Sequence, residues 1–194
     1  MTSAQNATRE RILASADQLF SKRGYAAVTL RDIASSIGIK HASLYYYAPG
    51  GKKELYVAVM ERNFLRHRQG LTDAIVRAGV DVRMQLYAVA DWFVTQPPLN
   101  LSRLHEADMD DLGSDQADAL MTLAYDAMRT PLRSIFEPAA AAGLVQIHDF
   151  NVAALALVSL LQSVHNVPAH YPMPVRYQIG HTLVDMLLDG WRTR

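Results

Sequence analysis

The sequence contains no cysteine. That absence excludes a disulfide framework, a thiolate zinc site, an iron–sulfur cluster and a cysteine nucleophile together. It fits a reducing cytoplasm, which is the expected location. Long hydrophobic runs are also missing. The longest, Val152 to Leu161, is broken by Ser159 and is too short to cross a bilayer, so no membrane partner is expected. The first ten residues are polar and lack the basic-then-apolar order of a secretion signal. There is no phosphate-binding glycine loop and no nucleophile elbow, and Gly50-Gly51 alone does not make one. No catalytic residue, metal ligand or cofactor is expected. What remains is an ordinary globular composition, 50% hydrophobic and 20% charged over 194 residues, which excludes disorder over most of the chain.

Charge of one sign is absent overall, since 19 basic residues balance 19 acidic ones. The balance hides a segregation. Residues 1–70 are net basic and residues 71–194 are net acidic by the same amount. A basic end on an acidic body points to one part that meets a polyanion. A chance distribution of solvated surface charge would give the same count.

The apolar periodicity is helical throughout, without a period-2 strand or an internal repeat, so the fold class is all-α. Ile12, Leu13, Ala16, Leu19 and Phe20 form one face of a helix over 8–22 that stops at Gly24. Thr29 and Asp32 match a capping box opening a second short helix, which ends at Gly38. A third helix starts near Lys40 or His41 and runs to about Tyr47, before Pro49-Gly50-Gly51. Further helices are expected from Lys52 past Arg68, over 81–96, 101–112, from Ser114 onward, over 150–167, and over 175–191. Pro131 and Pro138 should kink or divide the helix that opens at Ser114.

Two short helices meeting across Gly38-Ile39 have the spacing of a helix-turn-helix, although a generic two-helix corner shares that pattern. The outward positions of the second of these helices are Lys40, His41, Ser43, Tyr45 and Tyr46. Lysine and tyrosine hydroxyls suit phosphate oxygens, and His41 and Tyr46 suit base edges in the major groove.

At these residues the chain resembles the TetR family of transcriptional regulators, from about Arg9 to Leu55. The resemblance is carried by Arg11-Ile12-Leu13, Ala16, Leu19-Phe20, Gly24-Tyr25, Val28-Thr29, Arg31-Asp32-Ile33-Ala34, Gly38-Ile39, Ser43-Leu44-Tyr45-Tyr46-Tyr47 and Lys53-Glu54-Leu55. It implies a three-helix helix-turn-helix DNA-binding domain over 1–50 and a larger ligand-binding and dimerisation domain over 51–194. It further implies that Thr29, Ser43 and Tyr45 contact phosphate. Lys40 and His41 would start the recognition helix, Ala42 would lie close to the bases, and Tyr46 would contact them. Lys52 or Lys53 would meet a phosphate at the start of the fourth helix, where free amides also attract an anion. The chain departs from the family pattern at Ala48, where phenylalanine is usual, and in a Pro49-Gly50-Gly51 loop one residue longer than usual.

A short recognition helix reads few bases, so a homodimer on a palindromic double-stranded operator is expected. The last two helices are the candidate interface, with Leu155, Val158, Ile179, Leu183, Met186 and Leu187. A fully buried helix inside one chain is the alternative. The middle helices offer a mostly apolar lining for a small hydrophobic effector: Phe64, Tyr87, Trp92, His105, Met109, Met121, Tyr125, Met128, Gln162 and His165. A plain core would also place methionine and aromatic residues at this spacing. His105-Glu106 with Asp108, Asp110 and Asp111 does not have the spacing of a helical zinc site, and an acidic helix face accounts for it. The expected function is a ligand-responsive transcriptional repressor. The alternatives are a DNA-binding regulator controlled by a protein partner, and an enzyme built on the helical body.

Overall fold

The computed structural model describes residues 3–97, 113–168 and 170–192. These residues are helical, and no strand occurs among them. The helices are α1 (Ser3–Arg23), α2 (Leu30–Ser36), α3 (His41–Tyr47), α4 (Gly51–Arg77), α5 (Val82–Thr95), α6 (Ser114–Ala141), α7 (Phe150–Gln162) and α8 (Met173–Trp191). A 3-10 turn, Ser163–Asn166, follows α7. Residues 101–112, with the helix expected there, lie outside the described residues.

The chain forms two compact units. One comprises the described residues within Met1–Asn63 and Asn100–Leu123, and the other those within Phe64–Leu99 and Ala124–Arg194. In the first, Ile12, Leu13 and Ala16 of α1 close over Ile33 and Ala34 of α2 and Leu44 of α3, all buried. Phe20, Tyr25 and Tyr56 add an aromatic cluster, with Tyr25 and Tyr56 edge-to-face at 4.9 Å. Ala48 is buried here, so the small side chain that departs from the family pattern is a core residue.

The second unit is built on α5, which is apolar and packs most extensively against α8. Side-chain caps set helix starts: Asp81 accepts from the Met84 amide at 2.9 Å, and Asp149 from Asn151 at 2.7 Å. Gly70 is required by packing. A Cβ there would lie 2.0 Å from the Trp92 ring.

Two expectations are corrected. Of the kink or division expected at Pro131 and Pro138, the division does not occur: α6 runs unbroken through both. Each proline removes one backbone hydrogen bond, but Ala127, Met128, Leu132, Ile135, Phe136 and Ala139 bury a continuous apolar face that outweighs the loss. The helix expected over 150–167 ends earlier as α-helix and tightens into the 3-10 turn, where Ser163 Oγ donates to the Leu160 carbonyl at 2.6 Å.

Candidate nucleic-acid interface

The helix-turn-helix is assembled by local chemistry. The Thr29 hydroxyl accepts from the Asp32 amide at 3.1 Å, and Asp32 accepts from the Thr29 amide at 2.9 Å. Both halves of the capping box are therefore made, and α2 starts where the sequence placed it. The Thr29 hydroxyl and amide, helped by Arg23, hold the Asp32 carboxyl below its ordinary pKa. Gly38 has φ +71°, a left-handed conformation that only glycine adopts without strain, and this turns the chain into α3. Arg11 donates to the Ile37 carbonyl at 3.1 Å, and Ser15 and Ser36 are hydrogen-bonded, so α1 braces the turn.

This geometry divides α3 into two faces. Leu44 is 0% exposed, whereas Tyr46 is 66% exposed. Lys40, His41, Ala42, Ser43 and Tyr45 are exposed on the same short segment, and Thr29 is exposed at the start of α2. The rings are not loose. His41 and Tyr45 meet edge-to-face at 5.4 Å, as do Tyr46 and Tyr47 at 5.1 Å. Gln5 Nε2 donates to the Tyr46 hydroxyl at 2.7 Å, a contact that sequence reasoning missed.

At the start of α4, Lys52 Nζ donates to the Tyr25 carbonyl at 3.0 Å and lies 4.0 Å from the centre of the Tyr25 ring. Lys52 therefore ties α4 to the turn after α1. Lys53 lines a hollow with Arg9, Gly50, Glu54 and Glu61. The Gly50 amide is already bonded to Glu54 Oε2 at 2.7 Å, so that amide is used within the chain.

The expected pocket residues are distributed unevenly. His105 and Met109 lie outside the described residues. Phe64 and Met128 are fully buried, Met121 is half-buried and Tyr125 is exposed, so the α6 methionines and Tyr125 do not share one interior face. Tyr87 and Trp92 line one open groove of about 470 Å³ with Ala74, Met84, Asp91 and His181. Tyr87 is committed elsewhere as well: its hydroxyl donates to Asp185 at 2.8 Å and its ring stacks on His181 at 4.1 Å. Trp92 Nε1 donates to His67 Nδ1 at 3.2 Å. His67 was not singled out from the sequence, although its spacing from Phe64 and Leu71 puts it on the buried face of α4. Gln162 and His165 each bury an unpartnered side-chain nitrogen.

Of the expected interface residues, Leu155 is 57% exposed and Met186 is exposed, while Ile179, Leu183 and Leu187 are half-buried. Val158 is corrected. At 6% exposure it belongs to the chain's own core, because it lies on the α7 face with Ala154, Leu157 and Leu161. Val152, one turn before Leu155, is exposed and was overlooked. Among the described residues no group of three or more His, Asp and Glu side chains could hold a metal ion. No described helix is long and apolar enough to cross a membrane.

Comparison with known proteins places these features. Residues 12–59 match the bacterial regulatory proteins of the tetR family. An 88-residue stretch is 39% identical to the HTH-type transcriptional repressor KstR2 of Rhodococcus jostii, covering 45% of this chain and 42% of that one. A 56-residue stretch is 43% identical to IcaR of Staphylococcus epidermidis, the negative transcriptional regulator of the biofilm operon icaADBC, covering 29% and 30%. The chain thus matches less than half the length of these curated relatives. A TetR-family regulator from Mesorhizobium loti has the same fold, with a TM-score of 0.75 over 100% of both chains at 16% identity. Residues 12–59 thus match the tetR family of bacterial regulatory proteins, and the fold is similar to that of the Mesorhizobium loti regulator.

Proposed function

We propose that the protein is a homodimeric transcriptional repressor that binds a palindromic DNA operator and is released by a small hydrophobic effector. The observation that carries this reading is α3. A seven-residue helix, set by a complete capping box and a left-handed glycine, exposes Lys40, His41, Ser43, Tyr45 and Tyr46 while burying Leu44. Lys40, Ser43 and Tyr45 serve phosphate, with Thr29 and the lysines at the start of α4. His41, Ala42 and Tyr46 face the bases. Residues 1–50 are the DNA-binding part, and residues 51–194 bind the effector and the second subunit.

The exposed apolar residues Val152 and Leu155 of α7 and Met186 of α8, with half-buried Leu183 and Leu187, support pairing of these helices with their copies. KstR2 and IcaR are named as a repressor and a negative regulator, which supports the sign of the regulation. α4 contributes residues to both compact units, which suits it to carry an effector's preference to the DNA-binding end. The effector can shift the equilibrium only by its differential affinity for the two arrangements. A repressor works where the chromosome is, which puts it in the cytoplasm.

The test is selection of binding sites from a random double-stranded DNA pool at fixed physiological salt. The expected result is a palindrome with half-sites about one helical turn apart, roughly 34–36 Å. Binding without enrichment that vanishes as salt rises would leave only the nonspecific phosphate contribution and would sink the reading.

A further inference from the structure

The second unit carries polar side chains that the fold itself does not use. α4 supplies Arg66, and the end of α7 with its 3-10 turn supplies Gln162 and His165. Arg66 Nε, Gln162 Nε2 and His165 Nε2 are buried and find no hydrogen-bond partner in the protein. Buried N–H groups are almost always paired, because an unpaired one keeps its full desolvation cost. Two such nitrogens one turn apart on one segment, with a third beside His67, therefore ask for an acceptor from outside. Arg66 Nε and Gln162 Nε2 are donors, and His165 donates whenever Nε2 carries its proton.

The charge has one sign. Among the described residues no ion pair engages Arg66. Burial first, then the charges of Arg66 and His165, holds the His67 imidazole down to about 4. Burial, then Arg176, lowers His165. Arg176 is itself held by the carbonyls of Val167 and Pro168, at 3.1 Å each. His67 is fixed by the Trp92 indole and packs 6.0 Å from Phe93. Phe64, Leu161 and Val164, next to the unpartnered nitrogens along the chain, are almost fully buried. The neighbourhood thus combines unused donors, uncompensated positive charge and apolar surroundings. A cation would be repelled there. A neutral acceptor would pair the donors but leave the charge unopposed.

We propose that the effector is an apolar monocarboxylate, and that Arg66, Gln162 and His165 receive its carboxylate. This rests on the effector-responsive reading above. Bonds from a cation or amide to a carboxylate are charge-assisted and stronger than those to a neutral carbonyl. The acid end therefore sets the affinity, and the apolar body adds to it.

The test uses the full chain with decanoate and phenylacetate, and with methyl decanoate, 1-decanol and methyl phenylacetate as uncharged matches. Binding is read by calorimetry and by tryptophan fluorescence. Each acid is expected to bind about tenfold or more tighter than its ester. Arg66→Gln and Gln162→Leu are each expected to narrow the acid-to-ester ratio, a quantity that a purely structural role would not move. Should Arg66→Gln fail to fold, the milder Gln162→Leu carries the comparison. Esters and alcohol binding as tightly as the acids would overturn the proposal, as would no binding by any of the five compounds. The selected operator separates this from the broader reading. Acid binding that leaves the protein on its operator would keep the carboxylate site and sink effector release. Release by ester and alcohol as readily as by acid would do the reverse.

Discussion

The two compact units differ in how far their polar side chains reach along the chain. In the first, polar groups cap short helices, as in the Thr29–Asp32 box, and cross-helix bonds reach 52 residues along the chain, as from Arg62 to Glu10. In the second, they connect helices far apart in the chain. Tyr87 and Arg83 reach Asp185 across 98 and 102 residues, and His181 reaches Asp91 across 90. The second unit also buries an imidazole, His67, at 1% exposure. The lesson is one of division of labour. On the proposed function, the first unit presents a DNA-reading surface in a fixed shape, and caps and turns close to that surface set it. On the same proposal, the second unit answers to a ligand and can hold polar groups inside, where their pairing costs stability and offers recognition.

Acid should break this symmetry most strongly. His67 has its pKa lowered from 6.5 to about 4 by burial and by Arg66 and His165. The folded state therefore holds fewer protons than the unfolded state between those values. Its contribution is complete above pH 6.5 and is lost as pH falls toward 4, up to about 3 kcal/mol. His165 is lowered and acts in the same direction. In the first unit, Asp32 is lowered from 3.8, so its contribution is present above that value and fades only below it. Both tryptophans, Trp92 and Trp191, lie in the second unit. Urea titrations followed by tryptophan emission should show a falling midpoint from pH 7 to 4.5. An unchanged midpoint would mean that His67 is not held neutral in the fold.

Gly70→Ala sharpens the same contrast by packing. Its Cβ would meet the Trp92 ring at 2.0 Å, and moving that ring breaks the bond to His67. Overpacking outweighs the gain in helix propensity, for a net loss of about 2 kcal/mol. Thermal unfolding of the variant should start lower, with altered tryptophan emission before the transition. A variant as stable as the parent would show that Trp92 has another place to go.

In the first unit the expected losses are smaller. Thr29→Ala removes the α2 cap and should cost about 1 kcal/mol. It also removes the main cause of the lowered Asp32 pKa. Amide exchange in α2 should quicken about fivefold while α5 keeps its protection. Equal changes in both would contradict a local role for the cap.

The same difference decides what could be read in advance. The start of α2, the turn at Gly38 and the outward face of α3 follow from residues within a few positions of one another, so they were legible. Val158 was misplaced because a helix apolar on every side does not say which side its own core takes. The prolines do not divide α6, because local propensity is overridden by burial along it. The Trp92–His67 pair and the close approach at Gly70 depend on how α4 crosses α5, which no short-range pattern encodes.

The smallest effect sharpens the comparison from the DNA side. Tyr46 is the most exposed large ring on α3, yet its hydroxyl is held by Gln5 from the first turns of α1. An exposed hydrogen bond between neutral groups contributes little, about 0.5 kcal/mol. Gln5→Ala should therefore weaken binding to the selected operator only about twofold, by freeing the ring to sample other rotamers. Tyr46→Phe should match it on the parent operator, because both remove the same bond. Tyr46→Ala should go further and change base preference, since it removes the ring proposed to face the bases. Competition binding against single-base operator variants measures all three. A shift in preference with Gln5→Ala equal to that of Tyr46→Ala would mean that α1 does more than steady the tyrosine, and that the reading surface extends to the first turn of the chain.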